Sequence, residues 1–193
     1  YIHRLMALLP HEAKYFEPYG LKTDFVGHPV VEGGASKGNG EAFRKKIDVA
    51  DNVKLLCVLP GSRRSETKYL LPVFKETVAV LAKKYPDMHI VIPTVVTVER
   101  TVRAAVADWV LPVHVVTGEA NRYDAFAACD AALAASGTVA LELAMAKVPY
   151  TIAYKMNPLS SFLARKLVSG RFANLVNILP DREIVKEYLL EDC

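Results

Sequence analysis

Short apolar runs of strand length recur along this chain, separated by amphipathic stretches long enough to form helices. The runs predict strands at Leu5–Leu9, Thr23–Val26, Lys54–Leu59, His89–Ile92, Val113–Val116, Ala131–Ala134 and Tyr150–Ala153. Several are continuously apolar rather than alternating, the pattern of parallel strands covered on both faces. Helical spacing predicts helices at Glu12–Tyr19, Leu70–Lys84, Val98–Ala107, Tyr123–Ala128 and Thr138–Lys147. Two more are expected at Pro158–Val168 and Asp181–Leu190, the latter with Asp181 as N-cap and Ile184, Val185, Tyr188 and Leu189 as an apolar stripe. The βαβα order implies an α/β fold, a Rossmann-like doubly wound parallel sheet with right-handed crossovers.

One stretch breaks the pattern. Residues 32–40 hold four glycines in nine positions and read as a linker. The expected organisation is therefore residues 1–31 as the tail of a preceding domain, 32–40 as linker, 41–157 as a Rossmann-like domain, and 158–193 as crossing helices. The chain begins at Tyr1 without Met and stops after a helix-like segment at Cys193, so both ends are expected to be truncation points.

Composition narrows the function classes. Of 193 residues, 52% are hydrophobic and 23% charged, enough apolar material for a core and unlike a disordered chain. A net charge of +3 suits an anionic ligand, but no Lys/Arg cluster with interleaved aromatics points to nucleic acid. Cys57, Cys129 and Cys193 are odd in number and show no metal-ligand spacing; Cys57 and Cys129 read as small core residues in a reducing compartment. Trp109 reads as packing. No apolar run approaches the ~20 residues that span a bilayer.

Two loops carry candidate chemistry. Leu59-Pro60-Gly61-Ser62-Arg63-Arg64-Ser65-Glu66 follows a strand directly, the setting of a ligand site at the carboxyl edge of a parallel sheet. There Gly61 allows close backbone approach, Ser62 offers a hydroxyl and Arg63 a charge-assisted fork for phosphate. Ala135-Ser136-Gly137-Thr138-Val139-Ala140-Leu141-Glu142 follows another strand. Ser136 and Thr138 can cap the helix that starts here, whose free amides favour a pyrophosphate, and Glu142 lies one turn on, within reach of ribose hydroxyls. Asn177, in the apolar segment Asn174–Pro180, needs a partner if buried. His28 reads as a hinge or core-edge residue, and the basic-apolar segment Phe162–Val168 either packs on the core or touches lipid headgroups.

In this order the motifs resemble the lipid A disaccharide synthases, inverting glycosyltransferases of the two-Rossmann GT-B architecture. The matching stretches are Leu8-Leu9-Pro10-His11-Glu12, Phe25-Val26-Gly27-His28-Pro29, Leu59-Pro60-Gly61-Ser62-Arg63 with Glu66, Ala135-Ser136-Gly137-Thr138 with Leu141-Glu142, Tyr154-Lys155-Met156 with Pro158, and Asn177 with Arg182-Glu183. The resemblance implies transfer of a diacylglucosaminyl unit from UDP-2,3-diacylglucosamine to 2,3-diacylglucosamine 1-phosphate, releasing UDP. It implies no metal and no cofactor, with positive groups stabilising the leaving pyrophosphate. Arg63 and Asn177 match residues expected at the diphosphate and stand as the catalytic candidates. Ser136, Gly137 and Thr138 are expected to hold phosphate, Glu142 the ribose, and Gly61, Ser62 and Glu66 to complete the nucleotide site.

The resemblance also implies a cytoplasmic protein with peripheral contact at the inner membrane, and a homodimer at full length through an exchanged tail. The family's acceptor-binding domain has no counterpart here, so this chain is expected to bind UDP without turnover. Two other readings remain: a UDP-N-acetylglucosamine-using GT-B epimerase or transferase, and a non-catalytic nucleotide-binding module. A single Glu142 after Ser136-Gly137-Thr138, where epimerases carry paired glutamates, favours the transferase.

Overall fold

A computed structural model describes residues 2–157, 172–190 and 193. The helix expected at Pro158–Val168 lies outside the described residues. The chain divides into two units, Tyr1–Gly33 and Gly34–Cys193.

In the first unit, strands β1 (Arg4–Ala7) and β2 (Lys22–Phe25) pair in parallel around helix α1 (Ala13–Phe16). β1 ends before Leu8 because the amides of Leu8 and Leu9 are taken by the Glu12 carboxylate, at 2.9 and 3.0 Å. The expected helix through Tyr19 breaks into α1 and a 3-10 turn at Glu17–Tyr19, since Pro18 has no amide to continue the α-helical ladder. The ring of His28 accepts a hydrogen bond from the Val30 amide at 3.2 Å, so it caps a turn.

The second unit is a six-stranded sheet of β3 (Leu55–Leu59), β4 (His89–Thr94), β5 (Val113–Thr117), β6 (Ala131–Ala135), β7 (Tyr150–Tyr154) and β8 (Glu187–Leu189). The order is β5-β4-β3-β6-β7-β8, parallel throughout. Helices α2 (Gly40–Lys46), α3 (Arg64–Ala82), α4 (Val96–Val106), α5 (Glu119–Ala128), α6 (Val139–Met145) and α7 (Leu175–Ile178) complete it. β3 shows why its run is unbroken. Leu55, Cys57 and Leu59 join Phe43, Phe126, Leu143 and Ile152 in one core. Leu56 and Val58 join Leu70, Phe74, Val78, Val98, Val102 and Trp109 in the other. Side chains alternate between faces, and both faces are covered. This is the doubly wound α/β fold expected. Cys57 lies within the first core, and burial drives the Cys129 thiol well above its ordinary range, so Cys129 is not a reactive thiolate.

Two expectations are corrected. Residues 34–40 are not slack. Ala35 is buried, the Asn39 amide donates to Asp124 at 2.7 Å, and a Cβ on Gly38 would fall 2.0 Å from the Tyr123 carbonyl oxygen. A Cβ on Gly40 would fall 2.4 Å from the Ala127 carbonyl oxygen. These glycines permit close approach to α5 rather than flexibility, and the division between units falls just before them, between Gly33 and Gly34. Asp181–Leu190 is also not a helix. Asp181 sits at φ 51°, outside any N-cap geometry, and the Ile184 and Val185 amides are captured by the Asn177 side chain at 2.8 and 2.9 Å. Without those amides no helical ladder forms, and Glu187–Leu189 adds to β7 as an edge strand instead.

Candidate functional site

The strand order places a switch between β3 and β6. From β3 the chain winds outward through β4 to β5, then returns to pair β6 on the other side of β3. At such a point the loops after the two strands diverge and leave a crevice at the carboxyl edge of the sheet. An open cleft of about 620 Å³ lies there, formed by the loops after β3, β4, β5 and β6. Gly61, Ser62, Arg63, Glu66, Ser136, Gly137, Thr138 and Glu142 all line it. The two sequence motifs thus meet in one cavity.

The loop after β3 is shaped from within. Gly61 takes φ 98°, and a Cβ there would lie 2.3 Å from a Glu66 carboxylate oxygen. Glu66 Oε2 accepts the Ser62 and Arg63 amides at 2.9 and 3.2 Å, and Oε1 accepts Arg63 Nη1 at 2.7 Å. Glu66 therefore holds the loop and starts α3 six residues earlier than the periodicity suggests; it is a scaffold for the cleft, not a free ligand group. The Arg63 side chain is 77% exposed against 15% for Glu66. An ion pair so exposed holds its arginine weakly, leaving the guanidinium available to an anion.

The loop after β6 differs from the sequence reading in one respect. Neither Ser136 nor Thr138 caps α6 through its side chain. Ser136 Oγ donates to the Ala173 carbonyl at 3.0 Å instead. A serine has one hydroxyl hydrogen, so the oxygen facing the cleft is an acceptor, suited to a ligand hydroxyl and not to a phosphate oxygen. The first turn of α6 is closed from the same loop, the Ala140 amide donating to the Gly137 carbonyl at 3.2 Å and the Leu141 amide to the Thr138 carbonyl at 3.0 Å.

Glu142 sits beside a cation that the sequence reading missed. Arg122 Nη2 lies 3.1 Å from Glu142 Oε1 and 3.2 Å from the Tyr123 hydroxyl, which donates to Glu119 at 3.0 Å. Burial lifts the Glu142 carboxyl above the ordinary carboxylate range; the Arg122 charge opposes this and the Glu119 charge reinforces it. Glu142 Oε2, Arg122 Nε and Thr94 Oγ1 are buried without hydrogen-bond partners. Three such atoms around one cleft are a deficit that a polar ligand can fill. Arg122 and Thr94 were hidden because neither lies in a glycine-rich motif. The legible signal was positional: Thr94 ends β4 and Arg122 lies in the helix that follows β5.

The structure does not bring Asn177 to the cleft. It is fully buried, and both ends of its amide are engaged. Nδ2 donates to the Val185 carbonyl at 2.7 Å and to Glu187 at 2.6 Å, while Oδ1 accepts the Ile184 and Val185 amides. With its amide committed, Asn177 has no group left for a diphosphate in this arrangement.

Comparison with known proteins agrees with this architecture. The lipid-A-disaccharide synthetase family model matches residues 1–193. A lipid-A-disaccharide synthase of Paramagnetospirillum magneticum is 56% identical over 98% of this chain and 49% of its own length. That of Rhodospirillum centenum is 53% identical over 100% of the chain and 48% of its own length. The chain thus spans about half the length of these relatives. Among solved structures, the UDP-GlcNAc 2-epimerase of Neisseria meningitidis shares the fold with a TM-score of 0.59 at 17% identity, over 93% of this chain and 52% of that one. A family 9 glycosyl transferase of Veillonella parvula gives 0.51 at 14% identity, over 70% and 45%. The sheet is that of the GT-B glycosyltransferases, and the chain belongs to the lipid-A-disaccharide synthetase family.

Proposed function

We propose that the cleft binds the UDP portion of a UDP-linked sugar, with Arg63 and Arg122 facing the diphosphate and Glu142 accepting from the ribose. The observation that carries this is the pairing of an available cation with an orphaned carboxylate oxygen across the switch point. Arg63 is exposed on the loop after β3, and Glu142 Oε2 is buried without a partner behind the loop after β6. A nucleoside diphosphate presents anionic oxygens and neighbouring hydroxyl donors, which match these two groups. Glu66 and Gly61 fix the loop, and Ser62 offers its hydroxyl at the same mouth.

At the level of the whole protein, the proposed reaction joins UDP-2,3-diacylglucosamine to 2,3-diacylglucosamine 1-phosphate, giving the lipid A disaccharide 1-phosphate and UDP. Family membership and the shared architecture support it. The arginines, aimed where negative charge develops on the departing UDP, lower the barrier without a resident metal. Because the chain spans about half of its relatives, this portion alone is proposed to bind UDP without turnover. A cytoplasmic protein in peripheral contact with the inner membrane, dimeric at full length, fits acylated substrates. No helix among the described residues is long and apolar enough to cross a membrane.

Isothermal titration checks the reading. UDP is expected to bind more tightly than ADP, and Arg63→Ala to weaken UDP by about tenfold, the scale of one charge-assisted hydrogen bond. Equal affinity for UDP and ADP would favour a non-specific docking module and sink the proposal.

A further inference from the structure

Ser136 is tied to a part of the chain that lines no portion of the cleft. Its hydroxyl donates to the Ala173 carbonyl, 37 residues on, at 3.0 Å. The peptide unit around Ala173 is gripped by one side chain from the edge strand β8. Glu187 Oε2 accepts the Ala173 amide at 2.8 Å, and Oε1 accepts the Asn174 amide at 3.2 Å. Glu187 is itself braced by Asn177 Nδ2 at 2.6 Å, and Asn177 is fixed by three backbone groups of residues 184 and 185. A carboxylate that accepts from three donors through two oxygens is held in one orientation, and each bond to it is charge-assisted. The line runs Asn177 to Glu187 to Ala173 to Ser136, from the buried interior to the mouth.

We propose that Glu187 is a positioning residue for the nucleotide cleft, acting through the Ala173 carbonyl to present the Ser136 oxygen as an acceptor for a ribose hydroxyl. This rests on the UDP reading above. Glu187 touches no ligand; it fixes the carbonyl that takes the one hydroxyl hydrogen of Ser136. Asn177 thereby acquires a role at the site through Glu187 rather than by contact.

Glu187→Gln is the informative change because it keeps shape and removes only the charge and one acceptor. A carboxamide places an NH2 against either the Ala173 amide or Asn177 Nδ2, and donor then meets donor. The test is UDP titration of the full-length protein carrying no change, Ser136→Ala, Glu187→Gln, or both, with thermal melting to confirm folding. Each single change is expected to weaken UDP by about tenfold. The double variant is expected to be no weaker than either single one, because both changes break the same line. A purely structural role for Glu187 makes the losses multiply, and that result overturns the proposal. So does Glu187→Gln binding within about twofold of the unchanged protein while Ser136→Ala weakens. Arg63→Ala serves as the separating control. If it weakens UDP while Glu187→Gln does not, only this inference falls; if the unchanged protein binds no UDP, the underlying reading falls as well. Should Glu187→Gln fail to fold, amide resonances of the unchanged protein decide. UDP must shift the Ala173 amide along with that of Ser136, and an unmoved Ala173 overturns the proposal.

Discussion

Glu142 is the residue whose chemistry is most exposed to its surroundings. Its carboxyl is lifted chiefly by burial, against the pull of Arg122 and with the push of Glu119. Only the ionised form accepts a ribose hydroxyl through both oxygens, so UDP affinity is expected to fall as pH drops through this raised value. The loss therefore begins at a higher pH than for an ordinary carboxylate, and Glu142→Gln is expected to abolish that acid limb. Titrations of UDP across pH 4–7 check it; an identical limb in Glu142→Gln would assign the effect elsewhere. The gathering of Arg63, Ser136 and Glu142 at one cleft was readable because each sits in or just beyond a strand-to-helix loop with a glycine. What Ser136 does was not, since its partner Ala173 is fixed by tertiary structure alone.

Among the elements, the glycine-rich stretch shows how composition misleads when read without packing. Gly38 and Gly40 lie against the backbone of α5, which also presents Arg122 to the cleft. Gly38→Ala is expected to destabilise the second unit by about 2 kcal/mol or more, as overpacking against rigid backbone does. Ser36→Ala, at an exposed position nearby, is expected to stay within about 0.5 kcal/mol. Chemical denaturation of the two variants measures the difference. The segment after Asp181 teaches the complementary lesson. Ile184, Val185, Tyr188 and Leu189 satisfy a helical stripe, yet the amides that a helix needs are bound by Asn177. Apolar spacing was legible; a competing acceptor seven residues away was not. The strands β3 to β7 were legible because a sheet covered on both faces demands unbroken apolar runs.

For the molecule as a whole, Asp130 joins pieces distant in sequence. It accepts the Leu55 amide at 2.9 Å and pairs with Lys54 at 2.8 Å and Arg44 at 3.3 Å, linking α2, β3 and the start of β6. Burial alone would raise its carboxyl, but the Lys54 bond, the Leu55 amide and the Arg44 charge together hold it below the ordinary range. A depressed folded value contributes stability above the unfolded value that is lost as pH falls through the folded one. Melting temperature is therefore expected to drop on acidification below about pH 4, and Asp130→Asn to be less stable at neutral pH with a flatter acid decline. The same reach across the sequence has a temporal side. Synthesis adds about 5–20 residues per second. Ala173 and Glu187 thus leave the ribosome seconds after every cleft loop has been made. Until then a nascent chain carries Arg63, Arg122 and Glu142 without the bond that orients Ser136, so the proposed nucleotide site is expected to reach its full affinity only near the end of this stretch.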